Sequence, residues 1–226
     1  AMDRHSMPLQ KVRIIPHGNF DGVYPVFDRV RARAELQLED AGTIALLPGQ
    51  IRAYKAPDAL IDAFLQVAGP KDRLLFAGYR APDVAELQIP DDPRIVAKFG
   101  FLSDRDLSLF HAAADFAVLP YAASLTSGSA ILAQTLARGV LGSDTPGLRD
   151  AVMMPGTGIL YDPRTDDALA TALRAAFDEG PEVWAARGQA ALQAAGSRDW
   201  SVIGATWRAL FSELKALPRP ARVLPS

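Results

Sequence analysis

Residues 116–144 read FAVLPYAASLTSGSAILAQTLARGVLGSD, and this stretch decides the fold. A short apolar run, Phe116–Tyr121, is followed by a polar loop and then by helical spacing over Ala130–Arg138. A second apolar run, Val140–Asp144, comes directly after Gly139, which we expect to end the helix. Continuous apolar runs of this length are typical of strands buried on both faces of a parallel sheet, so the stretch predicts a strand–helix–strand unit.

The same alternation extends outward along the chain in both directions. Further apolar runs predict strands at 12–17, 43–49, 73–78, 95–100 and 158–162. Helical spacing occurs over 58–67, after the capping pair Ser103-Asp104, over 166–177 and over 181–195. Strands and helices that alternate at intervals of roughly thirty residues predict an α/β fold, a doubly wound parallel sheet with right-handed crossovers.

The composition excludes several classes of protein. The 226 residues include 24 Lys and Arg against 26 Asp and Glu, a net charge of −2, whereas nucleic acid or an anionic membrane attracts a basic protein. The absence of cysteine excludes disulfides, zinc fingers and thiol catalysis, and with three histidines we expect no metal cofactor. No apolar run is long enough for a membrane span, and the N-terminus lacks a signal-peptide core, so we expect a cytoplasmic protein without direct membrane insertion.

The last helical segment differs from the others. Its apolar residues recur at spacings of three and four and form one broad stripe, made of Trp200, Ile203, Trp207, Leu210, Phe211 and Leu214. A stripe of this kind packs on its own domain or, if left uncovered, favours association into a homo-oligomer. We therefore divide the chain into a leader (1–10), a Rossmann-like domain (11–199), a terminal helix (200–217) and a disordered proline-rich tail (218–226).

The loops after the strands hold the candidate binding residues, because ligands of doubly wound sheets lie beyond the carboxyl ends of the strands. In the loop over 49–58, Arg52 and Lys55 stand three positions apart before a helix, a pattern that suits a diphosphate or two solvated cations. In the loop over 120–134, the run Thr126–Ser129 leads directly into a helix. Its hydroxyls and amides favour phosphate binding, whereas a plain serine cap accounts for one hydroxyl.

The remaining polar positions favour structural roles. The loop over 16–25, with two glycines and an asparagine, fits close approach of a ligand or a plain turn. The loop over 143–150 is predicted to cap a helix, and His111 is predicted to be a surface or packing histidine. Neither a Ser/His/Asp array nor a G-x-S-x-G turn occurs in the sequence.

Four stretches in this order resemble the C-terminal, nucleotide-sugar-binding half of GT-B glycosyltransferases of the retaining family 4 type. They are VRIIPHGNFDGVYP (12–25), LLPGQIRAYKAPDALIDAF (46–64), FGFLSDRDLSLFHAAADFAVLPY (99–121) and SGSAILAQTLARGVLGSDTPGLRDAV (127–152), the last followed by TGILYDP. The ordered set is more specific than any single loop. The resemblance implies a Rossmann-like domain whose last helix crosses back to an N-terminal domain.

The resemblance also implies how the donor is bound. Lys55, with Arg52 nearby, would neutralise the donor diphosphate, which carries the developing charge of the leaving group. The amides of the run Ser127, Gly128, Ser129 and Ala130 would bind phosphate. The sugar would be transferred with retention at the anomeric carbon, and the leaving nucleoside diphosphate would help to deprotonate the acceptor.

Further positions follow from the same resemblance. Phe99 to Leu102 would flank the nucleobase, which is uracil or guanine, with Phe101 and Leu102 among the donor-binding residues. Gln134 would face the ribose. Gly18 would leave room where the two domains meet. The acceptor would be a glycan or a lipid-linked saccharide in bacterial surface polysaccharide synthesis, with any contact at the inner membrane face made by the missing domain.

Three departures from the family pattern stand out. Two glutamates eight positions apart are replaced by Thr126 and Gln134, and the usual arginine after Gly49 is replaced by Gln50, for which Arg52 could compensate. The N-terminal acceptor-binding half has no counterpart in these 226 residues. We therefore expect a separate domain or subunit to supply it, and we expect the isolated chain to bind the donor nucleotide without transferring sugar.

Two alternatives remain at the level of the sequence. The missing glutamates also fit a non-catalytic nucleotide-binding module of degenerate GT-B type. A receiver-like signalling domain with Asp115 or Asp144 near strand ends is disfavoured, because the first predicted strand is followed by His17-Gly18-Asn19 rather than by an acidic cluster.

Overall fold

The structure is a computed structural model that describes residues 12–152 and 154–216. The predicted leader (1–10) and tail (218–226) lie outside the described residues. The chain divides into two compact units. Residues 19–196 form the larger unit, and the described part of the smaller unit consists of residues 12–18 and 197–216.

The larger unit contains one parallel sheet of six strands. The strands are β1 (Ile44–Pro48), β2 (Arg73–Gly78), β3 (Ile95–Phe99), β4 (Phe116–Leu119), β5 (Gly139–Ser143) and β6 (Gly158–Tyr161). They lie in the order β3-β2-β1-β4-β5-β6, and all neighbours are parallel. The predicted doubly wound α/β fold is confirmed. The direction of winding reverses between β1 and β4, which is the place where such sheets open a crevice.

Six α-helices accompany the sheet among the described residues of the larger unit. They are α1 (Arg29–Glu35), α2 (Pro57–Val67), α3 (Asp104–Ala113), α4 (Gly128–Thr135), α5 (Pro146–Ala151) and α6 (Ala168–Ala195). The side chain of Ser103 caps α3 by accepting a hydrogen bond from the Asp106 amide, as predicted. Gly180, with φ 76° and ψ 174°, breaks α6 immediately before Pro181, so the two predicted segments remain distinct. The sequence did not predict α1.

Two sequence predictions were wrong. Residues 12–17 form no strand, because this segment pairs with no strand among the described residues and Ile14 is 79% exposed. Gly139 does not end a helix, since α4 already ends at Thr135 and Gly139 is the first residue of β5. A Cβ at Gly139 would lie 2.9 Å from the Trp184 ring, so close packing explains this glycine.

The core is largest where α2 and α6 cover the sheet. Trp184 is completely buried, stacks on Phe116 with ring centroids 4.4 Å apart, and donates its indole N–H to the Ala176 carbonyl. At the amino end of β4, the buried Asp115 carboxylate accepts hydrogen bonds from Arg33 and from the Ile44 amide. Asp115 therefore ties α1 to the sheet at the edge opposite the ligand crevice.

The smaller unit contains α7 (Trp200–Ala216) and the extended segment 12–18. An Arg13–Glu213 ion pair of 2.7 Å joins the two pieces, and Gly18 lies against Trp200, since a Cβ there would be 2.4 Å from the indole ring. Of the predicted stripe, Trp200, Trp207, Phe211 and Leu214 are exposed, whereas Ile203 is buried.

His111 is a packing residue in the completely buried part of α3. Neither ring nitrogen has a hydrogen-bond partner among the described residues. Burial, with a smaller effect from Arg138, lowers the pKa of His111 to about 3, so the imidazole is neutral in the folded protein. The unfolded chain binds a proton near pH 6.5, and the free energy of unfolding must therefore fall as the pH drops below that value.

Replacing His111 with leucine should remove this acid sensitivity. His111→Leu deletes two unpaired polar atoms and keeps an apolar group of similar size, so we expect unchanged or higher stability at pH 7. Between about pH 6.5 and pH 4, its advantage over the wild type should widen by about 1.4 kcal/mol per pH unit. Urea unfolding across this pH range measures the difference in the free energy of unfolding. Parallel pH profiles for the two proteins would contradict the assignment of His111 as a buried, neutral imidazole.

Candidate functional site

The site lies at the reversal of the sheet, where the carboxyl ends of β1 and β4 are neighbours. Two loops meet there. One follows β1 and carries Gly49, Gln50, Arg52 and Lys55, and the other follows β4 and ends in the first turn of α4. The fold therefore brings together the two segments in which the sequence predicted phosphate-binding residues.

Lys55 occupies the centre of this site. It ends a short 3₁₀ turn, Ala53–Lys55, and the next residue, Ala56, has a left-handed backbone with φ 47°. The side chain of Lys55 is buried, and its Nζ donates to the Pro48 carbonyl at 2.9 Å and to Ser129 Oγ at 3.4 Å. The ammonium group is thus fixed between the end of β1 and the start of α4.

Gly49 leaves the space that this arrangement needs. Its φ is 79°, which favours glycine, and a Cβ there would lie 3.4 Å from Ser129 Oγ and 3.6 Å from Lys55 Nζ. The backbone can therefore turn sharply out of β1 without covering the ammonium group.

Tyr121 forms the floor of the site, and sequence analysis missed it. Lys55 Nζ lies 5.5 Å from the centre of the Tyr121 ring. Burial raises the pKa of Tyr121 to about 12, so the hydroxyl stays protonated at neutral pH. The only signal in the sequence was an aromatic residue two positions beyond β4, at the ligand edge of the sheet.

The start of α4 supplies further donors. Ser127 is the N-cap, and its Oγ accepts a hydrogen bond from the Ala130 amide at 3.1 Å. The amides of Gly128 and Ser129 belong to the first turn, where no intrahelical acceptor exists. The first turn contains no acidic residue, so the positive end of the helix dipole faces the site without a competing carboxylate.

The electrostatics of the site favour an anion. Burial, with a smaller contribution from the charge of Arg52, lowers the pKa of Lys55 to about 8. Among the described residues no carboxylate forms a salt bridge with Lys55. At the rim, Arg52 Nε donates to Gln50 Oε1 at 2.9 Å, and both side chains are exposed. An anionic ligand would therefore meet one fixed buried cation and one exposed cation.

The other predicted site residues are placed less favourably. Gln134 is almost completely buried, and its Nε2 donates to the Ala151 carbonyl at 2.6 Å, so its amide is already engaged. Thr126 is exposed beside the start of α4. Phe101 is 95% exposed, Leu102 packs partly against the core, and Gly18 belongs to the smaller unit.

The described residues contain neither a metal-binding cluster nor a membrane-spanning helix. Residues 12–152 and 154–216 contain no group of three or more His, Cys, Asp or Glu side chains arranged to hold a metal ion. Within the same ranges no helix combines the length and apolar character that crossing a bilayer requires.

Comparison with known proteins identifies the family. Residues 42–179 match the family described as glycosyl transferases group 1, and the chain belongs to that family. Its fold and its structural neighbours identify it more closely as a C-terminal GT-B domain of the family 4 type. The receiver-like alternative is therefore wrong.

Individual relatives are similar over about half their length. The chain is 29% identical to D-inositol 3-phosphate glycosyltransferase from Segniliparus rotundus, over 96% of this chain and 49% of that protein. It is 30% identical to GDP-mannose:glycolipid 4-beta-D-mannosyltransferase from Xanthomonas campestris pv. campestris, over 69% of this chain and 44% of that protein. Sucrose-phosphate synthase from Thermosynechococcus elongatus superposes with a TM-score of 0.74 and 26% identity, over 90% of this chain and 53% of that chain.

In the absence of ligand, the buried charge of Lys55 should make the protein less stable than a variant with an apolar residue at this position. Its pKa is about 8 when folded and near 10.5 when unfolded, so the unfolded state binds more protons between these values. Stability should therefore rise with pH in this window, by up to about 1.4 kcal/mol per pH unit. Lys55→Met should be more stable than the wild type at pH 7, and its advantage should shrink from pH 8 to pH 10.

Urea unfolding from pH 7 to pH 10 measures this difference. Lys71→Met is the matched control, because Lys71 is exposed near the amino end of β2, away from the ligand edge. A Lys55→Met profile that runs parallel to those of the wild type and the control would show that Lys55 is not held as a desolvated cation.

Proposed function

We propose that this chain is the donor-binding half of a retaining glycosyltransferase, which transfers a sugar from a nucleoside diphosphate sugar to a glycan or lipid-linked saccharide. The observation that carries the proposal is the desolvated ammonium group of Lys55, with no carboxylate partner among the described residues. A buried charge is costly unless a partner compensates it, and a diphosphate is such a partner.

In this proposal the diphosphate lies between Lys55 Nζ and the first-turn amides of Ser129 and its neighbours on α4. When the bond between the sugar and the diphosphate breaks, negative charge grows on the leaving phosphate oxygens. Donors that are already in place stabilise this charge more in the transition state than in the ground state, which is the condition for catalysis. The leaving phosphate also takes the proton of the acceptor hydroxyl, which attacks from the same face, so configuration is retained.

The rim residues would select the nucleotide. Phe101 offers an exposed ring in the loop after β3, next to Leu102, where a base can stack. Gln50 and Arg52 would contact the outer phosphate oxygens. The base is uracil or guanine. GDP should be tested first, because the name of the mannosyltransferase relative contains GDP-mannose.

We also propose how this chain works within a larger enzyme. The acceptor would be held by an N-terminal domain or a separate subunit, and the whole enzyme would act in bacterial surface polysaccharide synthesis. Lys55 and the start of α4 would supply the positive charge that a metal supplies elsewhere, so no metal cofactor is expected. The exposed aromatic residues of α7 would favour self-association of the isolated chain.

Isothermal titration calorimetry with GDP, UDP and ADP tests the donor site. We expect one of these nucleotides to bind, and Lys55→Met to weaken that binding by about 10- to 100-fold, because a charge-assisted hydrogen bond is lost. Lys71→Met should bind like the wild type. Equal affinity in the two variants, or no binding of any nucleotide to the wild type, would refute the assignment of the site.

A second candidate function is that of a non-catalytic nucleotide-binding module. Two observations favour it: Thr126 offers no carboxylate, and the Gln134 amide is engaged with Ala151. Such a module binds the nucleotide but never transfers sugar. Sugar transfer by the chain together with an N-terminal GT-B domain from a relative would eliminate this candidate, whereas nucleotide binding without turnover in that complex would favour it.

A further inference from the structure

A cavity opens beside the proposed donor site, toward the carboxyl ends of β5 and β6. Its volume is about 550 Å³, a size in which small ligands are commonly bound. The walls come from the loop after β4 (122–125), the start of α5 and the turn after β6. The proposed donor site leaves all of these residues without a role.

Thr145 is one of the residues that line this cavity, and it carries a buried hydroxyl. It stands at the N-cap of α5, where a threonine commonly bonds an amide of the first turn, but its side chain makes no such bond. The residue is 5% exposed, and Oγ1 has no hydrogen-bond partner among the described residues. Leaving a buried hydroxyl unpaired costs free energy, which a ligand that bonds it would recover.

Two arginine–aspartate pairs line the same cavity. Arg149 Nε lies 2.7 Å from Asp144 Oδ1, and Arg164 Nη2 lies 2.7 Å from Asp162 Oδ2. These bonds lower the pKa of both carboxyl groups, so the pairs stay ionised at neutral pH. Each guanidinium has five N–H donors and each carboxylate several acceptor positions, most of which remain for a ligand.

The net charge of these four side chains is zero, which argues against a simple anion site. Because donors and acceptors stand side by side, the lining suits groups that both donate and accept, as hydroxyls do. The apolar part of the lining is also exposed. Leu125, at 84% exposure, together with Pro146 and Pro163, offers C–H surface on which the apolar face of a pyranose ring can pack.

The cavity wall is tied to the donor site by hydrogen bonds. The Gly147 amide donates to the Ser124 carbonyl at 3.0 Å, and Ser124 Oγ donates to the Thr126 carbonyl at 3.0 Å. Thr126 directly precedes Ser127, the cap of α4. Since adjacent strands are about 4.8 Å apart, a ligand above β5 and β6 lies roughly 5–10 Å from the end of β4. That separation suits a second substrate beside the donor.

From these observations we propose that the cavity binds a neutral saccharide unit of the acceptor, held by Thr145 Oγ1 and the Arg149–Asp144 pair. The acceptor role rests on the proposed function of the chain, whereas the binding of a saccharide does not. The donor-binding half would therefore also orient the acceptor, in addition to the contacts made by a separate acceptor-binding domain.

Saturation-transfer NMR on the chain tests the proposal. The probes are methyl α-mannopyranoside, maltose and myo-inositol, with glucose 1-phosphate and glucuronate as charged comparisons. We expect transfer to at least one neutral probe. Thr145→Val and Arg149→Ala should weaken the binding of that probe by about tenfold or more, as expected for one lost hydrogen bond. Thr145→Ser, which keeps the hydroxyl, and Arg105→Ala, which removes an exposed ion pair outside this cavity, should bind it normally.

Parallel titrations with the nucleotide that binds separate the two proposals. Unchanged nucleotide affinity in Thr145→Val and Arg149→Ala, combined with loss of the neutral saccharide, supports a separate acceptor site. Weakened binding of the sugar nucleotide but not of the free nucleotide would place the donor sugar in the cavity and overturn the acceptor role. Binding of charged probes alone, or no saccharide binding by a chain that binds nucleotide, overturns the cavity proposal while the donor site stands. Saccharide binding without nucleotide binding removes the proposed function and the acceptor role with it.

Thermal unfolding of the variants completes the test. Because Thr145→Val removes an unpaired buried hydroxyl, its melting temperature should equal or exceed that of the wild type, so loss of saccharide cannot be due to unfolding. Arg149 is largely exposed, and its truncation should leave the melting temperature nearly unchanged. A strongly destabilised Thr145→Val would mean that the hydroxyl is structural, which contradicts the proposal.

Discussion

The hydrogen bond from Lys55 Nζ to the Pro48 carbonyl is the interaction on which the site depends. It anchors a cation to the last residue of β1, at the point where the winding of the sheet reverses and β4 becomes the neighbour of β1. The second contact, to Ser129 Oγ, connects the same cation to the start of α4. A parallel sheet, a reversal of winding and one lysine are therefore sufficient to direct an ammonium group and a helix N-terminus at one ligand.

This arrangement is suited to the ligand-bound protein rather than to the free one. The free protein carries a desolvated cation, and burial lowers the pKa of Lys55 to about 8. An anion that enters the site replaces the solvation that the Lys55 ammonium group lost on burial. Part of the free energy of binding therefore comes from offsetting this desolvation cost. The Pro48 carbonyl, which holds Lys55, and the Ser127 cap of α4 keep the donors in place beforehand, which limits the reorganisation needed as charge develops on a leaving group.

Much of this could be predicted from the sequence, for physical reasons. The six strands of the sheet are short, mostly apolar runs, because a parallel sheet is covered on both faces and its strands therefore lack a regular alternation of polar and apolar residues. Lys55 and the Ser127–Ala130 run were recognisable because charged and hydroxyl side chains stand in loops that follow such runs and lead into helices. Residues 12–17 carry the same apolar signal but have no strand beside them, and a local pattern cannot reveal that a pairing partner is missing.

Other features depend on contacts distant in sequence. The helix α1 is held by Arg33, which reaches Asp115 across 82 positions, and its own sequence is short and charged. Gln134 was expected to face a ribose, but its amide is bonded to Ala151, and only the packing of α4 against α5 decides that. The roles assigned to Gln134, Phe101, Leu102 and Gly18 stay predictions. Tyr121 belongs to the site because its ring lies under Lys55, which is 66 positions earlier in the chain. A local sequence motif cannot predict a contact between residues so far apart.

A crystal structure of the chain with its preferred nucleoside diphosphate tests the central claim most directly. We predict a phosphate oxygen within hydrogen-bond distance of Lys55 Nζ and another at the amides of Gly128 and Ser129, at the reversal between β1 and β4. A nucleotide bound elsewhere, or one whose diphosphate leaves Lys55 bonded only to Pro48 and Ser129, would contradict it.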